Sequence, residues 1–310
     1  AGISGGSKSH HPAGYTEGKR SSMNAFVLVD KKAGISSFDV IRELRKLTGI
    51  RKIGHAGTLD PFATGLLICA IGQYTRLLSF AEARDKSYEA TLVLGKKSST
   101  GDPEGEITEQ RDPDLSAIDP LELRERALKL KELPLPIYSA IKVNGKRAYQ
   151  YARAGVELAL PVRGVEIHDF EVLKQQNELI TYRVKVSKGT YIRSFSEWLA
   201  EQTGNVGMTL ELRRTAIGGL NVDSACPFEE LAQWQSYICH PRQVLDGLKE
   251  FTVSPEQSSL LTNGRSLTID GLIDGQYAVY TRDDVLQAIA QAKSGELIPA
   301  HVFDTKDMEH

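Results

Sequence analysis

The sequence predicts an α+β protein with two domains. Over the first 250 residues, segments with helical spacing of apolar residues alternate with short strand-like segments. In the last sixty residues, short apolar segments alternate with glycine turns, which is typical of a small β-barrel. We therefore expect a domain at 23–250 and a second at 251–310, with their boundary near 247–254. Residues 1–22 show no periodicity and predict a disordered extension or an expression remnant.

Length and composition exclude several classes of protein. The 310 residues are 41% hydrophobic and 25% charged, which is ordinary for a globular protein with a sizeable core. The apolar run Leu66–Ile71 is far too short to span a bilayer. Cys69, Cys226 and Cys239 are odd in number and widely spaced, so neither a disulfide framework nor a zinc site is indicated. We expect a cytoplasmic protein without metal, cofactor or membrane partner.

The net charge does not by itself indicate a nucleic-acid partner. The whole chain carries a formal charge of −2. Residues 251–310 hold 9 acidic and 4 basic side chains, and residues 1–22 hold 3 basic and 1 acidic. An RNA partner would therefore have to meet a local basic patch.

The first elements are a buried strand and a capped helix. Phe26–Val29 is an apolar run typical of a short strand. Ser36, with Asp39 three residues later, resembles a capping box. Apolar residues then recur at helical spacing until Gly49, a natural helix stop.

Later elements follow from the same patterns. We expect strands at Leu66–Ile71, Tyr88–Leu94, Leu179–Val186, Tyr277–Tyr280 and Ile298–Phe303. We expect helices at 119–133 and Ser194–Gln202, and a polar loop at 99–114. Glu122/Arg126 and Glu125/Lys129 have the spacing of ion pairs on the solvent face of the first of these helices.

The segment 54–65 is the strongest candidate for chemistry. It crowds glycine, threonine and proline between a basic pair and a buried strand. Asp60 precedes Pro61, which disfavours helical geometry, so its carboxylate would project from a rigid loop. Such a carboxylate can serve as a nucleophile or a base, or it can simply shape an Asx-turn. The glycine spacing fits neither a phosphate-binding loop nor a dinucleotide fingerprint, and His55 has no partner at metal-ligand spacing.

Two further clusters are rich in cations. Residues 187–193 lie at a strand-to-helix turn, where Arg193 can hold a carboxylate or form a surface ion pair. Arg213 and Arg214 can face phosphates or lie on a solvated surface. Between 138 and 153, cations alternate with tyrosines, a mixture that fits RNA but also an amphipathic segment packed on a core. The cations considered there are Lys142, Lys146 and Arg147.

Taken together and in this order, these segments resemble the bacterial TruB family of tRNA pseudouridine synthases. Residues 54–61 are similar to the family's catalytic motif Gly-His-x-Gly-Thr-Leu-Asp-Pro, and residues 86–88 to its Lys-x-Tyr motif. The other similar segments are 136–142, 145–155, 188–193 and 212–214. The resemblance covers residues 25–250, with Lys32 standing where the family has a proline.

The resemblance implies a fold and an activity. It implies a catalytic domain with a central mixed, largely antiparallel sheet flanked by helices, and an RNA-clasping insertion at 136–155. The last segment weakly resembles a PUA-type RNA-binding barrel. The implied reaction isomerises one uridine of the TΨC loop of tRNA after the base has been flipped out. The implied partner is the T-arm stem-loop, and we expect a monomer with no obligatory protein partner and no cofactor.

The resemblance also implies roles for individual residues. Asp60 becomes the nucleophile, attacking either C6 of uracil or C1′ of the ribose, and Arg193 keeps its carboxylate ionised. Tyr88 stacks on the flipped base and can accept a proton. The implied substrate-binding residues are His55 as a wedge, Tyr191 and Leu212 in the pocket, Lys31 beside the catalytic loop, and Lys142, Lys146, Arg147, Arg213 and Arg214 toward the RNA.

Three alternatives remain beside this interpretation. One is a tRNA-binding or tRNA-folding module whose catalysis is dispensable. Another is a guide-RNA-dependent pseudouridine synthase that needs protein partners. A glycoside hydrolase ranks far behind, because it usually needs two carboxylates in one cleft and the sequence nominates only Asp60.

Overall fold

The computed structural model describes residues 23–116, 118–136 and 161–303, together with the backbone of 142–143 and 146–147. The predicted extension at 1–22 lies outside the described residues, as does most of the predicted insertion at 136–155.

The described chain contains strands and helices in the following bounds. The helices are α1 Ser37–Thr48, α2 Leu78–Glu82, α3 Pro120–Lys129, α4 Ile192–Gln202, α5 Pro241–Val244 and α6 Pro255–Thr262, with short 3-10 segments at Gly72–Leu77, Val222–Ser224 and Phe228–Tyr237. The strands of the first 250 residues are β1 Ala25–Lys31, β2 Ile53–Ala56, β3 Thr64–Ile71, β4 Lys86–Leu94, β5 Lys96–Ser98, β6 Ile107–Gln110, β7 Glu132–Pro134, β8 Lys142–Val143, β9 Lys146–Arg147, β10 Val162–Gly164, β11 Ile167–Gln176, β12 Leu179–Val186, β13 Gly207–Ile217, β14 Leu220–Asn221, β15 Cys226–Pro227 and β16 Ile238–Cys239. The remaining strands are β17 Lys249–Thr252, β18 Leu267–Thr268, β19 Gly275–Tyr280, β20 Leu286–Lys293 and β21 Glu296–Val302.

A ten-stranded sheet forms the centre of the molecule. Its main path runs β11-β12-β4-β13-β3-β1-β15, with β14, β16 and β2 attached to β13, β1 and β3. All neighbours are antiparallel except β13 with β3 and β1 with β15. Helix α4 packs its apolar face on β4, β12 and β13, while α1 packs on β1 and β3. The expectation of an α+β fold with a central mixed, largely antiparallel sheet flanked by helices is therefore confirmed.

Most of the helices and strands predicted from the sequence are present in the structure. Helix α1 begins after Ser36, whose capping box with Asp39 is formed, and it ends at Gly49 in the left-handed region. Helix α3 ends at Lys129 rather than at residue 133, because 132–134 instead forms β7 and pairs with β10. The predicted polar loop at 99–114 includes the exposed strand β6, which pairs with β5.

The two halves of the central sheet meet where β13 runs parallel to β3. This contact has only two residue pairs, Arg213 with Thr64 and Arg214 with Gly65. Gly65 has φ +107°, and a Cβ at this position would overlap the carbonyl oxygen of Arg214. Only glycine permits this backbone conformation together with so close an approach of β13. The junction lies directly after the loop at 57–63, so it fixes the base of that loop.

The last sixty residues form a second, five-stranded sheet that curls into a half-barrel. Its order is β17-β19-β20-β21-β18, and α6 packs on it. One face of this sheet shares a core with the central sheet. Tyr74 lies with its ring centroid 5.1 Å from that of Phe26 and 5.3 Å from that of Phe303. Among the described residues, no helix is long and apolar enough to cross a membrane.

Replacing Gly65 by alanine tests the close approach of β13 to β3. We expect Gly65→Ala to lower the free energy of unfolding by about 3 kcal/mol, because the new Cβ adds strain and displaces the Arg214 backbone. Gly219→Ala is the matched control, since a Cβ added at Gly219 would meet no atom within 4 Å and its φ is not positive. Urea unfolding of both variants measures the difference, and equal losses would contradict the close approach.

Candidate active site

A cavity of about 670 Å³ opens beside residues 57–61, which we call the catalytic loop after the family motif that they resemble. This volume is in the range that encloses a small organic group such as one nucleoside. The loop, the end of α2, β4, the turn 188–191 and the start of α4 form its walls. Six of the residues predicted from the sequence line it, namely Asp60, Tyr88, Tyr191, Arg193, Leu212 and Arg214.

Asp60 and Arg193 form an ion pair at this cavity. The Arg193 Nε lies 3.0 Å from Asp60 Oδ2, and a second guanidinium nitrogen donates to Oδ1 at 3.5 Å. The Arg193 side chain is 4% exposed and that of Asp60 is 35% exposed. The carboxylate therefore reaches the cavity, while the cation that holds it lies behind it in the protein.

Asp102 is a second carboxylate on the same arginine. Its Oδ2 lies 3.3 Å from an Arg193 nitrogen that also donates to the Thr100 carbonyl oxygen at 2.8 Å. The Thr100 hydroxyl and the Glu104 backbone N–H donate to its Oδ1. From the sequence, Asp102 was predicted only to lie in a polar loop. The one sequence feature that Asp102 shares with Asp60 is the proline that follows it. Because Asp-Pro pairs occur four times in the chain, this feature does not single out Asp102 as a site residue.

Burial and the neighbouring charges together set the pKa of Asp60. Burial is the largest influence and raises the pKa of its carboxyl. The positive charges of Arg193 and Lys31 lower this pKa, and the negative charge of Asp102 raises it. Arg193 thus favours the ionised form of Asp60 but is shared with a competing anion.

Lys31 supports the catalytic loop from beneath. It is fully buried, and its ammonium group donates to the carbonyl oxygens of Lys32, Ile35 and Pro61 at 2.8–3.2 Å. Burial lowers the pKa of Lys31 to about 8, against the opposing effect of Asp60. The assignment of Lys31 to substrate binding stays a prediction, since its side chain is buried under the loop in this structure. Its expected support of the loop agrees with these hydrogen bonds.

Arg214 also holds the loop. It is 1% exposed, and its guanidinium donates to the carbonyl oxygens of Leu66 and Gly57 at 2.7 and 2.9 Å. The approach of β13 to Gly65 buries the Arg214 side chain under the loop, so Arg214 does not lie on a solvated surface. It lines the cavity, and its contact with RNA stays a prediction. Arg213 points the other way, is 41% exposed and forms a two-point ion pair with Asp30.

Strand β4 supplies one wall of the cavity. Tyr88 and Leu212 lie on the neighbouring strands β4 and β13, and both are largely buried. Lys86, two residues before Tyr88, donates to the carbonyl oxygens of Glu82 and Arg84 at the end of α2. Burial first, and then the nearby charge of Arg214, lower the pKa of Lys86 to about 8. Lys86 therefore ties α2 to β4 beside the Tyr88 ring.

The other predicted residues lie away from the cavity or outside the described side chains. His55 lies on β2, and burial followed by the charge of Arg214 lowers its pKa. Within the described part of the chain, its Nδ1 is buried without a hydrogen-bond partner. Lys142, Lys146 and Arg147 belong to the short hairpin of β8 and β9, and their side chains are not among those described. No group of three metal-ligating side chains occurs among the residues described.

The fold has solved relatives. A chain in the structure of an H/ACA RNP bound to a substrate RNA containing 2′-deoxyuridine superposes with a TM-score of 0.67 at 20% identity, covering 91% of this chain and 86% of that one. A chain of a Cbf5-Nop10-Gar1 complex superposes with a TM-score of 0.66 at 20% identity, over 90% of this chain and 84% of that one. These similarities concern the fold alone.

Sequence comparison identifies the family. Residues 45–192 match the model of the TruB family pseudouridylate synthase, N-terminal domain. A tRNA pseudouridine synthase B of Streptococcus pneumoniae is 37% identical over 295 residues, covering 91% of this chain and all of that protein. One of Thermobifida fusca is 36% identical over 287 residues, covering 89% of this chain and 97% of that protein. The fold and these relatives together define a pseudouridine synthase, an isomerase that converts uridine to pseudouridine. The chain belongs to the TruB family, which confirms the resemblance seen in its motifs.

The pKa of Asp60 should respond to Asp102. Replacing Asp102 by asparagine removes a like charge, so we expect the pKa of Asp60 to fall. The native pKa of Asp60 is raised above that of the unfolded chain, so ionising this group costs stability as pH rises through the native pKa. A lower pKa in Asp102→Asn makes that loss smaller.

Carbon-13 NMR titration of labelled aspartate carboxyl groups measures this pKa directly. Asp112→Asn serves as the control, because Asp112 is exposed and is not among the groups that influence Asp60. An unchanged or higher Asp60 pKa in Asp102→Asn would show that the two carboxylates are not coupled through space.

Proposed function

We propose that this protein converts one uridine in the TΨC loop of tRNA to pseudouridine. The observation that carries the proposal is the carboxylate of Asp60, held by the buried Arg193 at the edge of a nucleoside-sized cavity. Relatives that share 37% identity over 91% of the chain are named tRNA pseudouridine synthase B, which supports tRNA as the substrate.

The reaction moves the ribose from nitrogen to carbon of the same base. The bond between uracil N1 and C1′ breaks, the base turns, and C5 bonds to C1′. The hydrogen on C5 leaves to solvent as a proton and N1 gains one, so the reaction needs neither an oxidant nor an energy source. Asp60 acts as the nucleophile, and attack on C6 or on C1′ requires the same ionised carboxylate.

Arg193 keeps that carboxylate available. Burial alone would favour the protonated and unreactive form of Asp60. The guanidinium opposes this effect with two contacts to the carboxylate. It is itself held by Asp102 and the Thr100 carbonyl, so its position does not depend on the substrate. This preorganised pair is the electrostatic part of catalysis.

The remaining cavity residues receive the extruded base. Because a uridine inside a folded loop is stacked, it must leave the stack before Asp60 can reach it. We assign Tyr88 as the ring that stacks on the flipped base and as a proton acceptor, with Leu212 as an apolar contact and Tyr191 as a further lining residue. His55, on the strand that precedes the catalytic loop, is assigned as the wedge near the vacated stack.

Other parts of the chain bind the rest of the RNA. We assign Lys142, Lys146 and Arg147 to phosphate contacts within the insertion at 136–155, and Arg213 to a contact that competes with its Asp30 pair. We divide the chain into a catalytic domain at 23–250 and a PUA-like RNA-binding domain at 251–310. We further propose that the protein acts in the cytoplasm as a monomer, without a guide RNA or a protein partner.

Tritium release tests the reaction and the nucleophile together. Forming the C5–C1′ bond expels the C5 hydrogen, so a T-arm stem-loop with C5-tritiated uridine should release tritium when mixed with the pure native protein. We expect Asp60→Ala to lower the rate at least about 10³-fold because it removes the nucleophile. Its affinity for the stem-loop should change only a few-fold, and Asp112→Ala should match the native protein.

Each other outcome has a distinct meaning. Normal release by Asp60→Ala would overturn the nucleophile assignment. Absence of release by the native protein, with tight binding of the stem-loop, would favour a tRNA-folding module. Release only after addition of a guide RNA and partner proteins would favour the guide-dependent alternative.

A further inference from the structure

Arg163 reaches the candidate active site from an element that has no assigned part in the reaction. It lies at the centre of β10, the strand that follows the predicted insertion. Strand β10 pairs with β7, which precedes the insertion, and Arg163 stands opposite Leu133 in this pair. Leu133 and Val165 are buried in the core beneath α4, so the two strands form a fixed stem. From this stem, the exposed Arg163 lines the cavity that contains Asp60.

The Arg163 guanidinium lies directly over Gly189. A Cβ on Gly189 would stand 2.5 Å from the Arg163 Cζ and 2.6 Å from one of its terminal nitrogens. Gly189 also has φ +77°, which favours glycine over any other residue. The turn 188–191 therefore leaves open the space that the guanidinium occupies, at the wall of the cavity facing the stem.

Arg163 differs from the other arginines and from Lys86 at this cavity in how its positive charge is partnered. Arg193 is held by two carboxylates, and Arg214 and Lys86 are held by backbone carbonyl oxygens. For Arg163, the described part of the chain supplies no ion pair and no hydrogen bond. Lys188, next to Gly189, is exposed and lines the same cavity, so this wall carries two positive charges.

We propose that Arg163 binds a backbone phosphate of the substrate RNA next to the target nucleotide. This inference rests on the proposed function. A nucleotide that enters the cavity brings its flanking phosphates to the cavity wall, and the planar guanidinium offers a two-point donor to phosphate oxygens. Because Arg163 belongs to the stem of the insertion, the element assigned to clasp the RNA also places the phosphate beside the reacting nucleotide.

The test combines a protein variant with a neutral phosphate. The variant is Arg163→Ala, and its control is Arg183→Ala, an exposed arginine of β12 that pairs with Glu171 and does not line the cavity. The RNA is the T-arm stem-loop with a single methylphosphonate on the 5′ or the 3′ side of the target uridine. Affinity at several salt concentrations and tritium release are measured for every combination, and thermal unfolding checks that each variant is folded.

We expect Arg163→Ala to bind the unmodified stem-loop about tenfold more weakly. Its logarithmic salt slope should be smaller by about 1. One of the two methylphosphonates should weaken binding by the native protein and by Arg183→Ala, but should have no further effect on Arg163→Ala. Arg163→Lys should keep the salt slope and recover part of the affinity, which a purely structural role would not explain.

Two results would overturn the proposal. If both methylphosphonates weaken Arg163→Ala as much as they weaken the native protein, Arg163 contacts neither phosphate. If neither methylphosphonate weakens binding by the native protein, the protein binds no phosphate beside the target uridine. This second result needs only the native protein, so it can be obtained even if Arg163→Ala does not fold. Failure of the proposed function would give a different result from failure of the Arg163 proposal. In that case the native protein would release no tritium from the unmodified stem-loop.

Discussion

The buried guanidinium of Arg193 is the interaction on which the site depends. It joins three segments that are distant in sequence, namely the start of α4, the catalytic loop with Asp60 and the loop around Asp102. An arginine at 4% exposure is tolerated only if its charge and its N–H groups are matched, since an unpaired buried charge costs several kcal/mol. The requirement to match this charge therefore keeps the three segments together and sets the position of the Asp60 carboxylate.

The catalytic loop owes its shape to polar contacts made by its backbone. Its carbonyl oxygens accept hydrogen bonds from Arg214 at Gly57 and from Lys31 at Pro61. The Ser37 hydroxyl contacts both the N–H and the carbonyl of Leu59. Buried backbone N–H and C=O groups need hydrogen-bond partners. In this loop, side chains supply the hydrogen bonds that the backbone itself would supply in a helix or a sheet. The carboxylate of Asp60 is thus held on a rigid support.

Sequence patterns predicted the elements that depend on interactions between residues close in sequence. The capping box of α1 and the alternation of β12 need only neighbouring residues, and both elements formed as expected. The end of α3 was missed because β7 exists only through its pairing with β10, which is distant in sequence. The burial of Arg214 was not foreseen for a similar reason, since it follows from the approach of β13 to Gly65. Asp102 lies in a segment whose composition indicates only a loop. Its place in the site follows from its ion pair with Arg193, which is distant in sequence.

The aromatic cluster of Phe26, Tyr74 and Phe303 has a consequence for the order in which the chain folds. The Tyr74 ring packs against both of the others, although Phe26 and Phe303 stand near opposite ends of the described chain. Domains usually fold from the N-terminus as they leave the ribosome. Here the core around β1 remains incomplete until Phe303 has been synthesised. The apolar face of the central sheet around Phe26 therefore stays partly uncovered until the second sheet has been synthesised and has folded onto it.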